Sequence, residues 1–167
     1  MARKSNYYLM GLLVLALSAC ATSPRPPGDE REVETRVREP ARQDSEGVQV
    51  FPLQNPAVKE LLAEAARAED GGNFEQAAIL LERALRIQPR DPEILQHMAE
   101  VQLQKQDYEQ ALTFAVRSYD IGPRVGEICS RNWRTISVAR GHLGDNSGSA
   151  QAEQKATACM NTKPESL

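Results

Sequence analysis

The sequence predicts an all-α protein: a short solenoid of about three helical hairpins, preceded by a disordered linker. Three observations carry this reading. One pattern between residues 58 and 123 is written twice, at an interval of 34 residues. Each copy contains two amphipathic runs separated by a polar turn, the arrangement of a helical hairpin. Ahead of them, the 27 residues 21–47 hold 12 charged residues and four prolines, with Val33 and Val37 the only large apolar side chains. Such a stretch buries too little surface to offset the entropy of ordering it.

At the amino-terminal end, Arg3 and Lys4 precede an apolar run from Tyr7 to Leu17. That run is too short to span a bilayer and suits the core of a signal peptide, expected over residues 1–19. The following Leu17-Ser18-Ala19-Cys20 resembles the lipobox of bacterial lipoproteins. The resemblance implies cleavage before Cys20, lipid on its thiol, and acylation of the new amino terminus. The alternative is ordinary cleavage that leaves Cys20 a free thiol. Ala21, rather than Asp, follows the cysteine, which resembles the outer-membrane sorting pattern of Gram-negative lipoproteins. Residues 20–47 then read as the lipidated cysteine and a leash, or as a plain spacer. The apolar Val48-Gln49-Val50-Phe51-Pro52-Leu53 is expected to cap the first repeat.

The repeats come next. Leu61-x-x-x-Ala65, Phe74-Glu75-Gln76-Ala77, Ala84-Leu85 and Ile87-x-Pro89 form the first copy. Leu95-x-x-x-Ala99, Tyr108-Glu109-Gln110-Ala111, Ser118-Tyr119 and Ile121-x-Pro123 form the second. Gly71-Gly72-Asn73 interrupts the first helical run, and Pro89 cannot continue the second. Ala65 and Ala77 need to be small where paired helices approach closely, while Phe74 and Tyr108 fill the wedge beside the turn. This register resembles the tetratricopeptide repeat. The resemblance implies stacked antiparallel hairpins at about 58–91 and 92–125, within a domain spanning 48–163 and followed by a tail, 164–167.

A third hairpin, 126–160, is expected as a degenerate cap: a helix from about 127 to 143, a turn at Gly144-Asp145-Asn146-Ser147-Gly148, and a last helix from about 149. It lacks the aromatic-x-x-Ala step and a closing proline in register, as suits a solenoid end exposed to water. Cys129 and Cys159 fall on its two antiparallel helices, at the same end. A bridge between them fits an oxidising compartment. Two buried thiols or a metal pair are the rival readings, the latter disfavoured because neither His97 nor His142 stands at ligand spacing. Both histidines read as surface residues.

No nucleophile paired with a base, phosphate-binding loop or metal cluster is visible, so the reading is a binding protein without cofactor and not an enzyme. A net charge of −3 gives no basic footprint for nucleic acid. The tetratricopeptide resemblance implies a concave partner-binding groove lined by the first helix of each hairpin. Its positions are Lys59, Leu62, Ala66 and Glu69 in the first copy. In the second they are Glu93, Gln96, Glu100 and Leu103, and in the third Arg131, Arg134 and Val138. The row runs from acidic to basic and suits a peptide or helix of complementary charge, though solvated faces would look the same.

Lipid anchor, leash and small repeat domain together resemble the LpoP type of outer-membrane lipoprotein. That resemblance implies activation of a bifunctional class A penicillin-binding protein in cell-wall synthesis, with the lipid on Cys20 as the membrane contact and no small-molecule substrate. A pilotin that assists secretin and type IV pilus assembly is the alternative binding reading. A cell-wall hydrolase is the enzymatic one.

Overall fold

The computed structural model describes residues 29–43 and 55–160. The expected signal peptide, Cys20, the apolar stretch 48–53 and the 164–167 tail lie outside these residues.

Six helices form three antiparallel hairpins. Helices α2 (Pro56–Asp70) and α3 (Phe74–Ile87) make the first, and α4 (Pro92–Gln104) and α5 (Tyr108–Ile121) the second. The third consists of α6 (Glu127–His142) and α7 (Asn146–Ala158). A further helix, α1, spans 29–43 and lies across the stack.

One hydrogen-bonded turn is repeated in all three hairpins. Asn73 N–H donates to the Ala68 carbonyl at 2.8 Å, Asp107 N–H to Gln102 at 2.9 Å, and Asp145 N–H to Arg140 at 2.9 Å. The residue before each donor has positive φ: Gly72 at 70°, Gln106 at 62° and Gly144 at 85°. Each donor then caps the following helix, its side chain accepting from the N–H three residues on: Gln76, Gln110 or Gly148. The third turn therefore matches the others in its bonds even where its sequence diverges. Replacing Asp107 by Ala should cost about 1 kcal/mol, the usual worth of an N-cap, read as a shift in urea midpoint without a change in slope.

Packing follows the small-residue register. Ala65 and Ala77 are both fully buried, and Phe74 closes the core formed by Val58, Leu61, Leu81, Ile94 and Met98. Farther along, Ala99, Ala115, Ile136 and Ala152 join the second hairpin to the third. Tyr108 is only partly buried, and its ring stacks on His142 with centroids 4.2 Å apart.

Helix α7 starts at Asn146, earlier than expected, because Asp145 accepts from the Gly148 N–H at 2.8 Å. A Cβ at Gly148 would collide with the capping carboxylate of Asp145 and crowd the Arg140 side chain. At the far end, Cys129 near the start of α6 is bonded to Cys159 just after α7.

The expected structureless linker is corrected over 29–43. The segment is α-helical at Asp29–Val33, π-helical at Glu34–Arg38 and α-helical again at Glu39–Gln43. Pro40 explains the wide turn: it has no N–H to continue the ladder, and the Glu39 N–H instead reaches back to the Glu34 carbonyl. Val33, Val37 and Ala41, spaced by four, share the inner face and are almost wholly buried. The two valines pack on Leu103, Ala111, Val138 and Ala139, so the helix is held by contacts that its own composition does not display.

Candidate partner-binding groove

The first helices of the hairpins, α2, α4 and α6, carry the groove, and α1 occupies part of it. Glu100, one helical turn beyond Gln96 on α4, has no exposed side-chain surface. Arg131 of α6 grips it with both prongs, Nε to Oε1 and Nη2 to Oε2, each at 2.8 Å. Gln96 Nε2 donates to Oε1 at 3.0 Å and to Thr135 Oγ1 at 2.9 Å. Arg38 of α1 completes the cluster, donating through Nε to Glu100 Oε2 at 2.7 Å and through Nη2 to Glu69 Oε2 at 2.8 Å. The other Glu69 oxygen pairs with His97.

Burial by itself would raise both carboxyls, but the cations outweigh it. Arg131 and Arg38 hold Glu100 far below the usual carboxylate range, and His97 with Arg38 lowers Glu69. Burial likewise opposes the charge on Arg38, yet Glu100 and Glu69 keep its pKa above the ordinary guanidinium value. At the rim, burial of Glu32 is outweighed by hydrogen bonds from His142, at 2.9 Å, and Arg36. Folding therefore lowers the affinity of these carboxylates for protons. Their stabilisation is complete above the ordinary value of 4.5 and is lost as pH falls below it through the lowered folded values. Urea midpoints should be flat from pH 7 to about 5 and fall steadily below about 4.5. A midpoint that rises on acidification to pH 3.5 would contradict this assignment.

Beside Arg38 a cleft of about 330 Å³ remains open, and the expected groove residues Leu62, Ala66, Glu69, Glu93 and Arg131 line it. Gln96, Glu100, Leu103 and Val138 lie on the same concave side but are buried, the last two beneath the valines of α1. Arg134 turns away to Glu153 of α7, with Nη1 to Oε1 at 2.6 Å. Lys59 is exposed and lies outside the cleft lining. The expected gradient from acidic to basic is corrected, because Glu100 and Arg131 neutralise each other across neighbouring hairpins. His97 is also corrected, from the surface to the cleft wall, where Glu69 holds it.

What sequence reasoning missed was Arg38. Its signal was position, directly after the second of two valines four residues apart. Among the described residues no helix is long and apolar enough to cross a membrane, and no group of three metal-binding side chains converges. The arrangement is a helical scaffold that holds a charged, partly open groove.

Comparison with known proteins agrees with that geometry. Residues 68–117 match the family described as tetratricopeptide repeat. No curated protein sequence matches the chain. Among solved structures, the chain is similar to the globular C-terminal domain of P. aeruginosa LpoP, at 35% identity and a TM-score of 0.59. That likeness covers 62% of this chain and 98% of the solved one.

Proposed function

We propose a function from one premise: the chain belongs to the LpoP-type tetratricopeptide-repeat proteins. It is a periplasm-facing lipoprotein of the outer membrane, anchored through Cys20, that binds a class A penicillin-binding protein and activates its peptidoglycan synthesis. The observation that carries this reading is the 35% identity along 98% of the LpoP globular domain. A concave groove with a buried, fully paired ionic centre is in keeping with a partner protein rather than a metabolite. Activation then follows from preferential binding: a ligand that favours the synthase's active conformation shifts the population toward it.

The test is direct. The chain from residue 20 onward, with Cys20→Ser to keep it soluble, is added to the purified synthase in a lipid II polymerisation assay. A several-fold rise in rate that saturates with added protein is expected. An unchanged rate without detectable binding would sink the proposal. The anchor is tested separately, since the mass of the mature chain from cells should include the lipid on Cys20, and Cys20→Ser should release it from the membrane fraction.

A further inference from the structure

We propose that α1 is a built-in, exchangeable occupant of the groove, displaced by a partner helix that carries the same chemistry. The relevant features are three buried apolar positions, Val33, Val37 and Ala41, and the guanidinium of Arg38 one residue after the second valine. The occupant is thus an amphipathic helix with small or β-branched residues four apart and one arginine directed at Glu69 and Glu100. It rests on the functional reading above in assigning that helix to the synthase and in taking Cys20 as the anchor.

The observations favour exchange over permanent packing. Its apolar contact is small, three side chains, supplemented by the Arg38 pairs and by Glu32 with His142, and its outer face carries the exposed Arg31, Arg36 and Arg42. A helix of this length interrupted by proline is not stable alone in water, so it forms on docking and unravels on release. The groove survives that release. Arg131 and Gln96 continue to hold Glu100, and His97 continues to hold Glu69. What departs is one cation between two carboxylates, and an incoming helix has to replace it.

Release also changes reach. With α1 docked, residues 20–28 alone join Cys20 to the folded part, and nine residues span at most about 30 Å. With α1 free, residues 20–54 span up to about 120 Å. Occupancy of the groove and distance from the anchor are therefore set by one event.

The experiment uses the chain from residue 20 with Cys20→Ser, as wild type, Val37→Asp and Arg38→Ala, with a fluorescent peptide of residues 29–43 as probe. Hydrogen exchange on the wild type should show the backbone of α1 opening at least a hundredfold more often than that of α4. Equal protection would make α1 a fixed part of the core and overturn the proposal. The peptide should bind the Val37→Asp chain at least tenfold tighter than wild type, whose own α1 competes at high effective concentration. A peptide carrying Arg38→Ala should lose at least tenfold. Equal binding to all chains, or to none, overturns the proposal. So does a Val37→Asp chain that loses helical signal beyond the share of α1, with Arg38→Ala as the milder check. A dimer exchanging α1 between copies, seen by light scattering, would assign the groove to a second copy instead. Finally, the synthase should bind Val37→Asp at least tenfold tighter than wild type. Unchanged affinity with stimulation intact overturns the exchange and leaves the function standing. If neither chain binds the synthase, the functional reading falls, while the peptide result judges α1 independently.

Discussion

Replacing Glu100 by Ala should destabilise the folded chain by roughly 3–5 kcal/mol, the usual cost of breaking a buried ion pair from one side. The carboxylate is completely buried, and two guanidiniums and an amide donate to it. Truncation leaves Arg131 mostly out of water with only Glu127, at 3.6 Å, as a counter-charge, and it removes one acceptor of the Gln96 amide and the partner of one prong of Arg38. The loss of attraction is smaller than the cost of keeping Arg131 desolvated, so the penalty exceeds what the pair contributes net. Two further variants separate those effects. Glu100→Gln keeps the shape and an acceptor but not the charge, and should fall between wild type and Ala. Joining Glu100→Leu with Arg131→Met removes both charges, and should cost clearly less than the two single changes added together. Urea unfolding monitored by far-UV dichroism gives every value, those of Glu100→Leu and Arg131→Met alone included. A loss below about 1 kcal/mol for Glu100→Ala would mean that water reaches Arg131, and that the centre is a surface pair of little worth.

The hairpins were legible because their information is local. Turn residues, N-caps and small contact positions recur at a spacing of 34, and hydrogen bonds that close within a few residues can be read from neighbours. The third hairpin kept its turn and its Asp145 cap while losing the aromatic signature, so its place was readable though its start was not. Helix α1 was hidden by its composition. Pro40 and the dense charges argue for a leash by every local measure, and Val33, Val37 and Ala41 look sparse until a partner surface is supplied. Two of its charges face the fold rather than water: Arg38 bonds to residues 31 and 62 positions away, and Glu32 to one 110 positions away. Pairings at that range leave no trace in periodicity. The same holds for His97, whose surroundings on α4 are polar while its partner sits on α2. Groove positions were readable as a row on one face of each first helix, but which of them would be buried, paired or open depended on what lay across them.

Removing the bridge with Cys129→Ser and Cys159→Ser should cost about 3–4 kcal/mol, the loop-closure value for a separation of 30 residues. The effect should concentrate in the last hairpin, because α7 adds little apolar surface to the core and is otherwise held by polar contacts such as Arg134 with Glu153. Its buried apolar residues are Ala152 and Ala156, whose methyl groups bury far less surface than the leucines and valines of the first core. The bridge fastens the carboxyl-terminal end of α7, where the Gly126 N–H also donates to the Cys159 carbonyl at 2.9 Å. At its other end α7 depends on the Asp145 cap and the fit of Gly148. The chain's single tryptophan reports directly on this helix: Trp133 of α6 has the Lys155 ammonium 4.2 Å from its ring centre and meets Tyr119 edge-on. In the double variant, or after reduction of the wild type, Trp133 emission should therefore shift red at lower urea than the far-UV signal of the first two hairpins is lost. Coincident transitions would show that α7 unfolds with the stack, and that packing rather than the cross-link holds the end of the solenoid. Because the hairpin supplies Arg131 and Val138 to the groove, loosening α7 should also weaken whatever helix lies there. An intact bridge thus maintains the groove as well as the fold.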